Sequence, residues 1–188
     1  DVKVGLLYRK GDPYDKAWQK IVSFAERKLN ITVITEEYGE TLLDNVDACC
    51  KVIAAGAAVV ISSSTSQDTA VHADVVSPLN IPLVSVSATD PYLKTSDRDY
   101  LLRLSPPDNY QGHAIYDLLE LFEWKEISIM ASSDSYGMNG IAELQNMINK
   151  HHGHTVKHTL FFDRSKGGPN VSFQLQELKT SLAKVILL

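Results

Sequence analysis

The sequence predicts an α/β fold, two doubly wound parallel-sheet lobes, on three observations. Short β-branched runs alternate with stretches of helical period along the whole chain, the order expected of parallel strands joined by right-handed helical crossovers. Runs such as Ala57-Ala58-Val59-Val60-Ile61 are apolar at every position instead of alternating, as strands buried on both faces of a sheet are. The polar connection from Asp90 to Asp99 and the stiff Ser105-Pro106-Pro107 interrupt the series, dividing it into lobe 1, residues 1–104, and lobe 2, residues 105–188.

Val2 to Tyr8 is the first strand. Lys10-Gly11-Asp12-Pro13 ends it, with Asp12 placed to cap a helix and Pro13 to occupy its first position. Trp18, Ile21, Val22, Ala25 and Leu29 then recur at helical spacing, a stripe that should cover a sheet with Trp18 in the core. Ile31 to Ile34 is the second strand. Thr41 can cap a helix that buries Leu42, Val46, Cys49, Cys50 and Ile53 and ends at Gly56. Residues 57–61 are the third strand, Ser66 to Ser77 a helix stopping before Pro78, and Ile81 to Ser87 the fourth strand. The alternation continues with a strand at 101–104, a helix at 108–122, a strand at 126–131, a helix at 141–149, a strand at 155–162, a helix at 171–182 and a strand at 185–188. A sequence that stops inside an apolar strand is expected to be the N-terminal part of a larger domain.

With 188 residues, 44% of them apolar and 22% charged, the chain can bury a sizeable core. A net charge of −5 gives no clustered cations for a nucleic-acid partner. Nothing reaches the run of about 18 apolar residues that a membrane span needs. Asn30-Ile31-Thr32 and Asn170-Val171-Ser172 fit the N-glycosylation pattern of an extracellular protein. Adjacent Cys49 and Cys50 are poorly placed to bridge each other; either one is a buried thiol, or one is half of a bridge to a partner elsewhere.

No phosphate-cradling G-x-x-x-x-G-K-[ST], no G-x-G-x-x-G after the first strand and no G-x-S-x-G elbow is present, so the chain is read as a binding protein without enzymatic activity or cofactor. His151, His152, His154 and His158 cluster, but the spacing suits a polar helix end running into an exposed strand better than a metal site. The informative stretch is Ile61-Ser62-Ser63-Ser64-Thr65-Ser66-Gln67, a row of hydroxyls where a buried strand gives way to a helix. Ser66 at the helix N-cap, with the free amides behind it, can hold a carboxylate. Ser87-Ala88-Thr89 ends the neighbouring strand and adds hydroxyls at the same crevice edge. Asp108, at the start of a helix, and Tyr136, read as a loop aromatic, together suit an ammonium group by ion pairing and cation–π attraction. Each of these residues also has an ordinary reading as a cap or turn residue.

The stretches 81–89, Arg103-Leu104-Ser105-Pro106-Pro107-Asp108-Asn109-Tyr110-Gln111, Phe122-Glu123-Trp124 and Tyr136-Gly137-Met138-Asn139-Gly140 follow in an order that resembles the bilobed ligand-binding region of class C G-protein-coupled receptors, chiefly metabotropic glutamate receptors. Ionotropic glutamate receptor N-terminal domains share that region. The resemblance implies a periplasmic-binding-protein-like type I fold, here only its N-terminal part, forming a Venus flytrap that closes on an amino-acid-like ligand, with Ser66, Ser87, Ala88, Thr89, Asp108 and Tyr136 at its site. It also implies a dimer formed through lobe 1, a downstream transmembrane module and a place on the extracellular face of the plasma membrane. The compact opening before Ser62 and Ala48-Cys49-Cys50 resemble the ionotropic domains more closely, and there the resemblance gives Cys49 a disulfide partner beyond Leu188. The alternative function is accordingly an N-terminal domain that directs subunit assembly, using the Trp18 and Val46 faces. A bacterial-type solute-binding protein is the third reading.

Overall fold

In the computed structural model, β1 (Val2–Arg9) runs through the middle of a five-stranded parallel sheet ordered β2-β1-β3-β4-β5. The described residues are 2–93, 98–151, 153–163 and 170–188, so residues 94–97 of the polar connection lie outside them, as does His152. Val4, Leu6, Leu7 and Tyr8 are buried in succession, on both faces of the sheet, which is why the run shows no polar alternation. The other elements of this unit are α1 (Asp15–Leu29), β2 (Ile31–Tyr38), α2 (Leu42–Ala54), β3 (Val59–Ser63), α3 (Ser66–Val76), a 3-10 turn at Ser77–Leu79, β4 (Leu83–Ser85) and β5 (Leu101–Arg103). A second unit holds α4 (Asn109–Leu121), β6 (Glu126–Ser132), α5 (Ser135–His151), β7 (Thr155–Phe162), α6 (Ser172–Thr180) and β8 (Val185–Leu187), with a parallel sheet ordered β7-β6-β8. The units comprise residues 1–89 with 93–106, and 90–92 with 107–188.

Several local choices follow from side-chain chemistry. Thr41 caps α2 reciprocally: Asp44 N–H donates to Thr41 Oγ1 at 3.1 Å and Thr41 N–H donates to the Asp44 carboxylate at 3.1 Å. Gly56, at φ +89°, supplies the left-handed residue that ends the helix. The start of α1 differs from expectation. Asp12 accepts the Tyr14 N–H at 2.7 Å, closing a turn instead of capping a helix, so the helix begins at Asp15 and Pro13 lies outside it. The stripe of α1 is also less buried than its spacing suggests. Ile21 and Leu29 are exposed and Trp18, Val22 and Ala25 half-buried, because α1 rests against β2, the edge strand.

Leu7, Val52, Val60, Val76 and Leu83 are fully enclosed in the core of the first unit. Cys49 joins them at 0% exposure, and burial pushes its thiol up to about 12, whereas Cys50 faces outward. The core of the second unit is built from Leu119, Ile127, Ile129, Ile141 and Leu144.

His72 of α3 is a buried titratable group whose burial makes stability depend on pH. It is fully enclosed, its Nδ1 lies 3.0 Å from Ser62 Oγ, and its ring meets Tyr38 edge-on at 5.1 Å. Burial lowers its pKa from 6.5 to about 4. The unfolded chain therefore takes up a proton that the folded chain refuses across this window. Stability from His72 is complete above about pH 6.5 and is lost as pH falls towards about 4, by about 3 kcal/mol in all. Urea unfolding at pH 7 and pH 4.5 should show this loss, and His72→Gln should reduce the difference between the two pH values. An unchanged difference in the variant would assign the acid sensitivity to other groups.

Candidate functional site

In the first unit the hydroxyl row forms as the end of β3 and the turn into α3. Ser62 and Ser63 lie in the strand, two residues further along than the sequence suggests. Ser62 turns inward to His72 and to Thr69 Oγ1, 3.4 Å away. Ser64 is braced by the Tyr38 hydroxyl, which donates to its Oγ at 2.6 Å, and burial raises the Tyr38 phenol above its ordinary range. The N-cap of α3 is Thr65, not Ser66. Thr65 Oγ1 accepts the Asp68 N–H at 3.2 Å and donates to the Asp68 carboxylate at 2.9 Å. Ser66 is the first helical residue, buried to 7% exposure, so it sits among the free amides rather than ahead of them.

Ser87, Ala88 and Thr89 lie beyond the end of β4, which stops at Ser85. Ser87 donates its hydroxyl proton to the Ser64 carbonyl at 2.9 Å, which leaves its lone pairs to face outward. In this arrangement Ser87 is an acceptor, suited to an ammonium more than to a carboxylate. Ala88 is buried, and its carbonyl accepts from Arg103 Nη2 at 2.9 Å while Arg103 Nη1 donates to Leu93 O at 2.9 Å. One guanidinium thus holds the loop from both sides.

In the second unit Asp108 occupies the N-cap position of α4, and its carbonyl accepts the Gly112 N–H at 2.9 Å. Its side chain makes no cap bond, so the carboxylate is not committed to the helix. Tyr136 lies in the first turn of α5, not in a loop, because that helix begins six residues before the expected Ile141. Asp134 brings this about: its carboxylate accepts from Gly137 N–H at 2.9 Å and from Ser132 Oγ at 2.8 Å. Asp108 and Tyr136 border a single cavity of about 150 Å³, whose walls include Met130, Ile141 and Leu144.

Of the described histidines His151 is exposed, but His154 and His158 are less so than their spacing suggests. The His154 side chain is only 3% exposed, with Nδ1 3.4 Å from Glu120 Oε1, and the Tyr116 ring packs against both His151 and His154. Among the described residues no group of three or more His, Cys, Asp or Glu side chains is arranged to hold a metal. His158 lies on β7. Asn30 and Asn170 are both exposed, Asn30 in the left-handed position that ends α1.

Sequence reasoning named Thr65 only within the hydroxyl row and gave no structural role to His72, Tyr38, Arg103 or Asp134. Thr65-Ser66-Gln67-Asp68 carried a visible signal, the same T-x-x-D spacing as Thr41 to Asp44. Tyr38 and Arg103 carried none, since their partners lie 26 and 15 residues away.

Parallel, doubly wound sheets with hydroxyls and a helix N-terminus at their carboxyl ends define a periplasmic-binding-protein-like type I domain. The chain belongs to the family described as the receptor family ligand binding region, which matches residues 23–188. It is 38% identical over 77 residues to glutamate receptor 3.7 of Arabidopsis thaliana, covering 41% of this chain and 8% of that one. Metabotropic glutamate receptor 6 of Oryctolagus cuniculus is 35% identical over 83 residues, 44% of this chain and 10% of the relative. Metabotropic glutamate receptor 4 of Mus musculus is 28% identical over 131 residues, 69% of this chain and 14% of the relative. The chain thus spans only a small share of each relative's length. No helix of the described residues is long and apolar enough to cross a membrane.

Proposed function

We propose that this chain is the extracellular ligand-binding region of an amino-acid receptor of the metabotropic glutamate receptor kind, signalling through closure of its lobes on the ligand. The observation that carries the reading is that Asp108, its carboxylate not used in capping, and the Tyr136 ring border one cavity. A carboxylate and an electron-rich ring face together attract an ammonium. The complementary end of the ligand, its carboxylate, is assigned to Ser66 and the amides of the first turn of α3, where the helix dipole favours negative charge. Ser87 and Thr89 assist at the amine through their lone pairs. A ligand gripped at both ends stabilises the closed state by its differential affinity, and several kcal/mol suffice to invert a two-state population. Exposed Asn30 and Asn170 would carry glycans, and a membrane module would follow in the same receptor.

Calorimetry of the full chain with the common L-amino acids tests the reading. Saturable heat is expected, and Ser66→Ala should weaken binding by about 1–3 kcal/mol. Silence from every amino acid would overturn it and favour the second reading, an ionotropic-type N-terminal domain that directs assembly. That alternative draws on exposed Tyr14, just before α1, and Ile21 and Phe24 along it, and sedimentation equilibrium would then show a dimer.

A further inference from the structure

The cavity beside Asp108 and Tyr136 says more about the ligand than its charge. Apart from Asp108, Gln111 and Tyr136 its walls are mostly apolar, with Ile115, Met130, Ile141, Leu144 and Leu187, three of them belonging to the buried core of this unit. Among the described residues no lysine, arginine or histidine lines it. Its volume, about 150 Å³, is that of an apolar cavity able to take a benzene-sized group. Small-molecule sites are built this way, mostly apolar with a few polar groups fixing orientation.

We propose that this cavity receives the side chain of the ligand, and that the ligand is an amino acid with an aliphatic or aromatic side chain of leucine to phenylalanine size, not an acidic one. The inference rests on the ammonium-binding role given to Asp108 above. An acidic side chain entering here would bring a second carboxylate near Asp108 into apolar walls that offer no cation, a doubly unfavourable transfer. An aliphatic or aromatic one removes apolar surface from water on both sides.

Gly140 makes the test clean. It lies within α5 and borders the cavity, and a Cβ added there meets nothing within 4 Å. The backbone there thus has room for a Cβ, Gly140→Leu adds apolar bulk at the cavity's border, and leucine at a helical position replaces a residue that disfavours the helix. Calorimetry of the full chain is expected to show L-leucine, L-methionine or L-phenylalanine binding at least about tenfold more tightly than L-glutamate. Gly140→Leu should weaken those ligands at least about tenfold while the thermal midpoint holds or rises. Gly140→Ala, a milder change, should weaken L-phenylalanine more than L-alanine. L-glutamate binding as tightly as L-leucine, or unchanged L-leucine affinity in Gly140→Leu, would overturn the inference and leave the amino-acid reading standing. An absence of binding by every amino acid would overturn both.

Discussion

Asp108→Ala is expected to abolish measurable amino-acid binding while leaving the fold unchanged by circular dichroism. Removing one partner of a desolvated, hydrogen-bonded charge pair costs about 2–5 kcal/mol, or at least about 30-fold in affinity. The usual objection to such a variant is that the residue also holds the protein together. Here that objection is weak, because the Asp108 side chain makes no cap bond to α4, and the bond that opens the helix uses its backbone carbonyl instead. Alanine keeps that carbonyl. A loss of binding accompanied by an unchanged thermal midpoint would separate the ligand contact from the structural one. Affinity surviving in both Asp108→Ala and Tyr136→Ala would reject the site.

Gly137→Ala should have the opposite character, with fold and binding failing together. A Cβ on Gly137 would run into the carbonyl and hydroxyl of Ser132, a strand end that cannot withdraw as a flexible side chain could. The first turn of α5 would have to lift, breaking the 2.9 Å bond from Gly137 N–H to Asp134 and displacing Tyr136. Overpacking of this kind costs about 1–3 kcal/mol, and chemical denaturation of the variant should show it. Gly140, three residues along the same helix, has open space where Gly137 has none. The two glycines of α5 thus predict contrary results: one substitution harms stability, the other leaves it intact and changes ligand choice. Equal stability in Gly137→Ala would mean that α5 does not depend on the close approach to Ser132.

What the sequence revealed depended on whether the deciding interaction was local. The limits of β7, Thr155–Phe162, are those read from its β-branched and aromatic run, and Thr41 caps α2 as its spacing predicts. The start of α5 was hidden because Ser135-Tyr136-Gly137-Met138-Asn139-Gly140 is a poor helix former by composition. What makes it helical is the Asp134 carboxylate on the Gly137 amide, in a turn packed against Ser132. The start of α1 failed for the converse reason: Asp12 and Pro13 look like a cap and first turn, but the Asp12 carboxylate finds the Tyr14 amide and closes a tighter turn. Within the candidate site, residue types and positions along the chain were legible, but hydrogen-bond roles were not. That Ser87 spends its proton on the Ser64 carbonyl follows from a loop held by Arg103, a pairing across 15 residues that no local pattern encodes.

The central claim is that a zwitterion is recognised at both ends, its ammonium by Asp108 and Tyr136. The measurement that tests it most directly is calorimetric titration of the full chain with the tightest-binding L-amino acid, with its α-amide and with the corresponding acid lacking the amino group. The account predicts that each altered compound binds at least about tenfold more weakly, since each leaves one set of charged hydrogen bonds unmade. A deaminated acid that binds as tightly as its parent amino acid would contradict it.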